Sequence, residues 1–196
     1  TIYRYESYQG MPILVCEYLE NGTLADVLRD GYLDQAEIIT IAGQVLEALA
    51  YLHNRGIVHG DIKPSNIGFD AQETAKLLDF GMANPPGTTE LNSADAQVSG
   101  GTYAYMSPEK VHNRIIDQRA DLWALAVTIF EAIHGENPFL GKDLSSTISR
   151  LDEPAKTLGA SQVTVSAFFE AALHNDPTER PQTAEQFVEL MRNSLK

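Results

Sequence analysis

The sequence predicts an α+β fold that is mainly helical, with strands near the N-terminus and helices after them. Two β-prone segments open the chain at residues 2–8 and 13–18, and a periodic apolar segment follows at 34–56. A further helix at 118–134 is apolar nearly all round, which is typical of a helix buried at the centre of a domain. The 196 residues, 43% of them hydrophobic, are enough for one sizeable core.

The first two strands are expected to pair as a hairpin around a turn at Gln9–Pro12. The second strand contains the apolar run Ile13–Cys16, so we expect it to be the more buried of the two. Asn21-Gly22 interrupts the chain after it. Thr23 and Asp26 then have the spacing of a capping box, which predicts the start of a helix.

The next helix has the clearest pattern. Asp34 with Glu37 three residues later is a start signal, and Gly56 is placed for a left-handed cap after Asn54-Arg55. Between them, apolar residues recur at steps of three and four and form one buried face: Ile38, Ile41, Ala42, Val45, Leu46, Leu49 and Leu52.

Two short strands are predicted at 66–69 and 75–78. The stretch 82–104 is rich in Gly, Ser, Thr, Asn and Pro and lacks periodicity, which is typical of a functional or mobile loop. Three more helices are expected beyond the one at 118–134, at 143–150, 161–174 and 183–194.

Charge and composition exclude several classes of protein. The net charge of −13 argues against binding to nucleic acid or to an anionic membrane, both of which need a basic face. The single cysteine, Cys16, excludes a disulfide framework and a cysteine-based metal site within the chain. No secretory signal and no apolar run of membrane-spanning length is found, and we expect a cytoplasmic location.

The motif with the most chemical content is His59-Gly60-Asp61-Ile62-Lys63-Pro64-Ser65-Asn66, followed by Asp79-Phe80-Gly81. It combines an acid, a basic group, an amide and a second acid. These groups suit the transfer of a phosphoryl group from a nucleotide to a hydroxyl.

Four motifs in order carry a resemblance to the protein kinase family, most closely to its bacterial Ser/Thr type: residues 59–66, Asp79-Phe80-Gly81, Ser107-Pro108-Glu109 and Asp121-Leu122-Trp123. A late arginine, Arg180, fits the same pattern. The resemblance implies the large C-terminal lobe of a kinase, preceded by the last two strands of the small lobe and lacking most of that lobe. It places those strands and the hinge at 1–19 and the lobe at 20–196. The activation segment is then 79–109.

The resemblance implies ATP and Mg²⁺ as cofactors and a protein substrate with a Ser or Thr hydroxyl. Asp61 would accept or orient the hydroxyl proton, and Lys63 would neutralise charge on the transferred group. Asn66 and Asp79 would bind the metal. Asn66 is also one of the implied catalytic residues, together with Asp61 and Lys63. Thr102 would contact Asp61 and Lys63 near the substrate hydroxyl. Lysine at 63, rather than the arginine-containing version of tyrosine kinases, favours Ser/Thr substrates.

Five further residues would support the site without taking part in the chemistry. His59 and Phe80 would pack together behind it. Glu109 and Arg180 would form a buried ion pair that anchors the end of the activation segment. Asp121 would receive backbone N–H groups of the catalytic loop.

The segment 15–19 resembles the hinge that meets the adenine through backbone hydrogen bonds, with Cys16 at the mouth of the back pocket. The residues implied in nucleotide binding are Glu17, Leu19, Thr23, Ile67 and Phe69.

The sequence departs from the family pattern in three ways. It contains no Gly-x-Gly-x-x-Gly loop, no strand lysine and no partner glutamate, so we expect the chain alone to be very slow and an upstream segment or a partner chain to complete the small lobe. Gly60 replaces an arginine that normally reads a phosphate on the activation segment, which suggests activity independent of that phosphate. Gly68 replaces an apolar residue beneath the adenine, at a cost of roughly 1–3 kcal/mol unless Ile67 or Phe69 shifts inward.

Two other functions are compatible with parts of this pattern. The missing small-lobe motifs, Gly60 and Gly68 favour a non-catalytic, kinase-like binding or scaffold module. His-Gly-Asp is also common in small-molecule kinases of the aminoglycoside phosphotransferase type. The Asp-Phe-Gly, Ser-Pro-Glu and Asp-x-Trp motifs argue against this last alternative.

Overall fold

The computed structural model describes residues 2–31, 33–88, 100–153 and 163–195. Within these ranges the fold is mainly helical with two small antiparallel sheets, so the predicted fold class is confirmed. The strands are β1 (Ile2–Tyr8), β2 (Met11–Cys16), β3 (Ile67–Phe69) and β4 (Ala75–Leu77). The helices are α1 (Leu24–Asp30), α2 (Gln35–His53), α3 (Gly100–Tyr103), α4 (Pro108–Val111), α5 (Gln118–His134), α6 (Leu144–Leu151), α7 (Val163–Ala172) and α8 (Ala184–Ser194).

Two parts of the predicted pattern lie outside the described residues. They are positions 89–99 of the loop predicted at 82–104 and the first two positions of the helix predicted at 161–174.

The N-terminal hairpin closes through a two-residue loop, Gln9-Gly10, whose φ angles are 51° and 79°. Positive φ at both loop positions is the geometry of tight hairpin turns that match the twist of their strands. Strand β2 therefore begins at Met11, two residues earlier than predicted. Strand β2 is the more buried of the two, as expected, but only through Val15, which is partly buried; Leu14 is 60% exposed. An apolar run indicates what could be buried, but burial needs a covering layer.

The predicted helix starts are confirmed. Thr23 N donates to Asp26 Oδ2 at 2.9 Å, and Asp26 N donates back to Thr23 Oγ1 at 3.3 Å. The second capping box, at the start of α2, joins Asp34 N to Glu37 Oε2 at 2.7 Å and Glu37 N to Asp34 Oδ1 at 2.8 Å. These bonds satisfy N–H groups that have no partner within the helix. Gly56 follows α2 with the predicted left-handed φ, 66°.

Helix α5 lies at the centre of the core. Its residues 120–130 are buried without interruption, as its all-round apolar sequence predicted. Helix α2 packs against α5 and α8, and α7 packs against α5 and α8. The aromatic side chains among these helices meet edge to face, a favourable geometry for ring pairs: Phe130, Phe168, Phe169 and Phe187. In the part of the chain that the structure describes, no helix is long and apolar enough to span a bilayer.

Two isolated β-bridges hold the loops of the candidate site against this core. Thr23 pairs with Gly68, which fixes the start of α1 on β3. Val58 pairs with Asn84, which fixes the segment before the 59–66 loop beside the segment after the Asp-Phe-Gly motif. The two halves of the predicted site are therefore joined by backbone bonds.

Candidate active site

The loop 59–66 is held from below by Asp121, which lies in the first turn of α5 and is 1% exposed. Its Oδ2 accepts from His59 N at 2.9 Å and from His53 Nε2 at 2.9 Å, and its Oδ1 accepts from Gly60 N at 2.8 Å. A carboxylate near a helix N-terminus is also stabilised by the helix dipole. Three donors compensate the desolvation of a buried anion, so this contact fixes the backbone directly before Asp61.

Asp61, Lys63 and Asn66 form a bonded set at the surface end of the loop. Lys63 Nζ donates to Asp61 Oδ2 at 2.8 Å, and Asn66 Nδ2 donates to the same oxygen at 2.8 Å. Asn66 Nδ2 also donates to the Asp61 carbonyl at 2.8 Å. Neither side-chain bond uses Asp61 Oδ1, so that oxygen can accept a proton from another group. The amide orientation likewise leaves Asn66 Oδ1 available as a ligand.

Thr102 of α3 lies beside this set, with Lys63 Nζ 3.5 Å from Thr102 Oγ1. The two residues are 39 positions apart in sequence, so the end of the activation segment meets the 59–66 loop here. The predicted neighbourhood of a hydroxyl, an ammonium group and a carboxylate is therefore present in the structure.

His59 is fully buried and links the loop to the Asp-Phe-Gly segment. Its Nε2 bonds the Leu78 carbonyl at 3.0 Å, and its Nδ1 accepts from Asp61 N at 3.3 Å. These two bonds require the neutral tautomer with the proton on Nε2. Burial lowers the pKa of His59, which agrees with a neutral ring. The ring centroid lies 4.9 Å from that of Phe80, so the expected packing is present.

The expected metal ligands are Asn66 and Asp79. Asp79 is exposed, has a φ of 55°, and its Oδ1 accepts from Gly81 N at 3.1 Å. Among the described residues, no group of three or more His, Cys, Asp or Glu side chains could hold a metal ion. Mg²⁺ is often held by one or two protein oxygens and completes its shell with water and phosphate oxygens. The donor types of this pair fit Mg²⁺ bound together with a nucleotide.

The nucleotide-binding set needs a correction at Ile67 and Phe69. Both are buried, at 0% and 6% exposure, and as alternate residues of β3 they share one face of the strand. Ile67 lines a small cavity with Ile38 and Leu125, and Phe69 faces α1 and α2. Their side chains therefore belong to the helical core and do not line a nucleotide site.

The opposite face of β3 carries Gly68, whose missing side chain is replaced by its neighbours. A Cβ at this position would lie 2.4 Å from Leu19 Cδ1 and 3.0 Å from Leu78 Cδ1. Leu19 thus fills the space that an apolar side chain would take, and no inward shift of Ile67 or Phe69 is needed. The hydroxyl of Thr23, also predicted for the nucleotide site, donates to Asp26 Oδ2 at 2.7 Å.

Glu17 is tied to the lobe by a charge network that the sequence patterns did not indicate. Lys76 Nζ bonds Glu17 Oε1 and lies 3.0 Å from Asp70 Oδ2. These two acids raise the pKa of Lys76. The network joins the predicted hinge to β4. Glu17 and Lys76 are 59 positions apart, a separation at which no periodic pattern links two residues.

Glu109 and Arg180 form the predicted buried ion pair. Arg180 donates from Nη1 to Glu109 Oε1 at 2.8 Å and from Nη2 to Glu109 Oε2 at 2.9 Å. Its guanidinium also lies over Trp123, 4.6 Å from the ring centroid, and its Nε donates to the His174 carbonyl at 2.6 Å. The bidentate geometry joins α4 to the segment before α8.

A cavity of about 1070 Å³ opens beside Lys63 and Thr102. Its wall includes Tyr105, whose hydroxyl donates to Glu131 Oε2 at 2.5 Å. Burial is the main cause that raises the pKa of both groups. Arg150 lies on the same wall. The sequence motifs did not indicate this cavity, because its wall combines residues from α3, α5 and α6.

Comparisons with known proteins agree with this geometry. Residues 1–191 match the protein kinase domain. The chain is 34% identical over 176 residues to serine/threonine-protein kinase PAK mbt of Drosophila melanogaster. The aligned region covers 88% of this chain and 27% of that protein. It is 32% identical over 189 residues to serine/threonine-protein kinase PknB of Mycobacterium leprae. This alignment covers 93% of this chain and 30% of that protein.

A plant protein is similar over almost the same region: mitogen-activated protein kinase kinase 3 of Arabidopsis thaliana, 31% identical over 190 residues, which cover 94% of this chain. The matched region spans between 27% and 36% of the length of these three relatives. The resemblance to Ser/Thr kinases, including those of bacteria, is confirmed, and the chain belongs to the protein kinase family.

Proposed function

We propose that this chain carries the catalytic residues of a Ser/Thr protein kinase, which transfers the γ-phosphoryl group of ATP to a hydroxyl of a protein substrate. The observation that carries the proposal is the bonded set of Asp61, Lys63 and Asn66 next to Thr102. Phosphoryl transfer depends mainly on positioning and on charge stabilisation, and this set supplies both.

In this function Asp61 orients the substrate hydroxyl and accepts its proton on Oδ1, the oxygen that Lys63 and Asn66 leave open. Lys63 lies between Asp61 Oδ2 and Thr102 Oγ1, where its ammonium group can neutralise charge on the transferred phosphoryl group. Asn66 holds Asp61 in place by donating from its amide to the carboxylate and to the backbone carbonyl of that residue.

Asn66 and Asp79 would hold Mg²⁺ through an amide oxygen and a carboxylate. A bound ion would supply positive charge against the phosphate oxygens of the nucleotide. The other nucleotide contacts would come from the hinge around Glu17 and from Leu19, which lies over Gly68. The substrate would enter by the cavity beside Lys63 and Thr102.

Full activity in this proposal needs a completed small lobe, supplied by an upstream segment or by a partner chain. The chain has no Gly-rich phosphate loop and no strand lysine. Hairpin β1–β2 exposes large apolar side chains, among them Tyr5 at 67% and Leu14 at 60%. Such a surface normally needs cover. A cytoplasmic location, where ATP is available, remains a prediction.

A second function, a non-catalytic kinase-like module that binds a partner, is favoured by one observation. Leu19 and Leu78 close the space at Gly68, so the floor of the nucleotide site is built differently from the family pattern. If this floor rejects adenine, the lobe would keep its fold without binding ATP.

A fluorescence titration with an ATP analogue, with and without Mg²⁺, distinguishes the two functions. The kinase proposal expects Mg²⁺-dependent binding in the micromolar range that is lost in Asp79→Ala. The matched control is Glu189→Ala, which removes an exposed carboxylate from α8 and should bind like the unmodified chain. Absence of binding up to millimolar concentration by the chain alone would mean a lobe that awaits the rest of the small lobe or a scaffold. The same absence in the full gene product, with its small lobe complete, would overturn the kinase proposal and support the binding module.

Phosphoryl transfer to a mixed Ser/Thr peptide pool is the second step of the test. Asp61→Asn should lower the turnover number by at least about a hundredfold, since general base catalysis contributes on this scale, and should leave analogue affinity nearly unchanged. An unchanged turnover number would remove Asp61 from its proposed role.

A further inference from the structure

The carbonyl of Gly60, the residue before Asp61, is bonded by a lysine from a distant helix. Lys110 Nζ of α4 donates to Gly60 O at 2.7 Å. On the other side of the same residue, Gly60 N donates to Asp121 Oδ1 at 2.8 Å. Both polar backbone groups of Gly60 are therefore held by charged side chains, one from α4 and one from α5.

Lys110 is buried, with 8% of the residue exposed. Lysine is among the residues least often found buried, because removing an ammonium group from water costs free energy unless it is paired or hydrogen-bonded. A hydrogen bond from a charged donor is about twice as strong as a neutral one. The position and burial of this side chain are thus those of a structural cation directed at the catalytic loop.

The backbone at Gly60 favours glycine. Its φ is 79°, and a Cβ there would lie 2.9 Å from the Met82 carbonyl and 3.7 Å from Lys110 Nζ. Met82 cannot easily yield, because the adjacent Val58–Asn84 bridge holds that strand of chain through bonds of 2.9 Å and 3.0 Å. A side chain at position 60 would therefore press on the Met82 carbonyl, whereas its contact with the ammonium group would be an ordinary one. Glycine thus lets the loop run close to Met82 while its carbonyl is held by Lys110.

The backbone of Lys110 is held in place as well as its ammonium group. Its neighbour Glu109 is locked by the bidentate bonds to Arg180. Helix α4 is therefore fixed to the core, and the lysine transmits that fixed position to the catalytic loop.

We propose that Lys110 is a positioning residue for the catalytic loop: it holds the Gly60 carbonyl, and through it Asp61, without a phosphate on the activation segment. This inference rests on the proposed function in one respect, that Asp61 acts in phosphoryl transfer. The contact would take the place of the tie that an arginine at position 60 would make to a phosphorylated loop.

The test compares Lys110→Met, which keeps the stem and removes the ammonium group, with Lys110→Arg, which keeps a cationic donor. Lys142→Met, at an exposed lysine, is the matched control. Hydrogen exchange of the phosphatase-treated chain measures how well the backbone amides of the loop are protected, and it does not depend on enzymatic activity. We expect amides of residues 59–63 to exchange about ten- to a hundredfold faster in Lys110→Met, the effect of losing one hydrogen bond to a charged group. Lys110→Arg should restore much of the protection, and α5 should be unchanged.

Phosphoryl transfer by the phosphatase-treated full gene product provides the second readout. Lys110→Met should lower kcat about tenfold or more with little change in KM for ATP, because the loop and not the nucleotide loses its support. If the unmodified protein transfers no phosphoryl group, the proposed function fails, and hydrogen exchange still decides whether Lys110 holds the loop.

Unchanged exchange at 59–63 in Lys110→Met would overturn the inference. Equal acceleration in the loop and in α5 would overturn it too, since that result describes a general loss of stability. If Lys110→Met does not fold, Lys110→Leu, which also removes the N–H donor, is measured against the same control and judged by the same criteria.

Discussion

The loop 59–66, proposed to be catalytic, and the hairpin β1–β2 differ in how the chain holds them. The loop is bound by buried charged groups from several helices, among them Asp121 at 1% exposure and Lys110 at 8%. The hairpin relies on the pairing of its own two strands, and six of its large apolar side chains are more than half exposed: Ile2, Tyr3, Tyr5, Tyr8, Met11 and Leu14.

This difference shows where the candidate site is preorganised. The groups proposed to act on the substrate hydroxyl are fixed by contacts within the lobe. The side of the site toward the hairpin is joined to the lobe through the hinge, where Glu17 meets Lys76. Preorganisation is therefore strong on the phosphoryl-transfer side and weak on the side that would cover the nucleotide.

The largest expected effect is at the anchor of the activation segment. Glu109→Ala and Arg180→Ala should each lower the free energy of unfolding by roughly 3–5 kcal/mol, because each leaves a buried charge without its partner. The double variant should lose much less than the sum of the two, as expected for one shared interaction. Denaturant unfolding of the four proteins measures this, with Arg192→Ala, an exposed arginine of α8, as the control. Additive losses would show that the two residues do not act as a pair.

The next effect is at the base of the catalytic loop. Asp121→Asn should lower the free energy of unfolding by roughly 1–3 kcal/mol, because the amide NH₂ group cannot accept the hydrogen bonds that one carboxylate oxygen now receives. Hydrogen exchange should become faster at the amides of His59 and Gly60 before it does in α8. Protection at these amides equal to that of the unmodified chain would contradict the support assigned to Asp121.

Local patterns in the sequence predicted much of the lobe. Thr23 with Asp26 and Asp34 with Glu37 predicted the two helix starts because a capping box depends only on residues three positions apart. The unbroken burial of 120–130 followed from a helix that is apolar on all sides. The pairing of Glu109 with Arg180, 71 positions apart, came only from the family resemblance.

The errors have physical reasons. Residues 67 and 69 share one face of β3, and the alternation of a strand could have shown that neither faces the same side as Gly68. The exposure of Leu14 could not be found this way, because the hydrophobicity of a strand does not reveal whether another layer covers it. Contacts such as Lys110 with Gly60, 50 positions apart, leave no local pattern at all.

A smaller effect is expected from pH, through His59. Burial lowers its pKa below the ordinary value of 6.5, so the unfolded chain binds more protons than the folded one as the pH falls through 6.5. The contribution of a neutral His59 to stability is therefore complete above pH 6.5 and decreases below it. At about pH 5.5 the pH lies one unit below the ordinary pKa of histidine, so the loss there can reach at most about 1.4 kcal/mol.

Unfolding of the unmodified chain and of His59→Gln, each at several pH values, isolates this contribution. The variant should lose less stability than the unmodified chain between about pH 7.5 and pH 5.5. His134→Gln is the comparison, because burial also lowers the pKa of His134, which is less deeply buried, and its effect should be smaller. Identical pH profiles for the unmodified chain and His59→Gln would mean that the loop tolerates a charged ring at this position.

The smallest effect is expected in the hairpin. Leu14→Ser should change the free energy of unfolding by less than about 0.5 kcal/mol, because Leu14 is 60% exposed. Leu125→Ala in α5, at 1% exposure, should cost about 2–5 kcal/mol. Denaturant unfolding at two protein concentrations measures both.

A loss of more than about 1 kcal/mol for Leu14→Ser that grows with protein concentration would mean that a second copy of the chain covers the hairpin. The same loss at every concentration would mean that the chain itself covers it. Either result would end the contrast between a supported loop and an unsupported hairpin, because the nucleotide side of the site would then have a cover of its own.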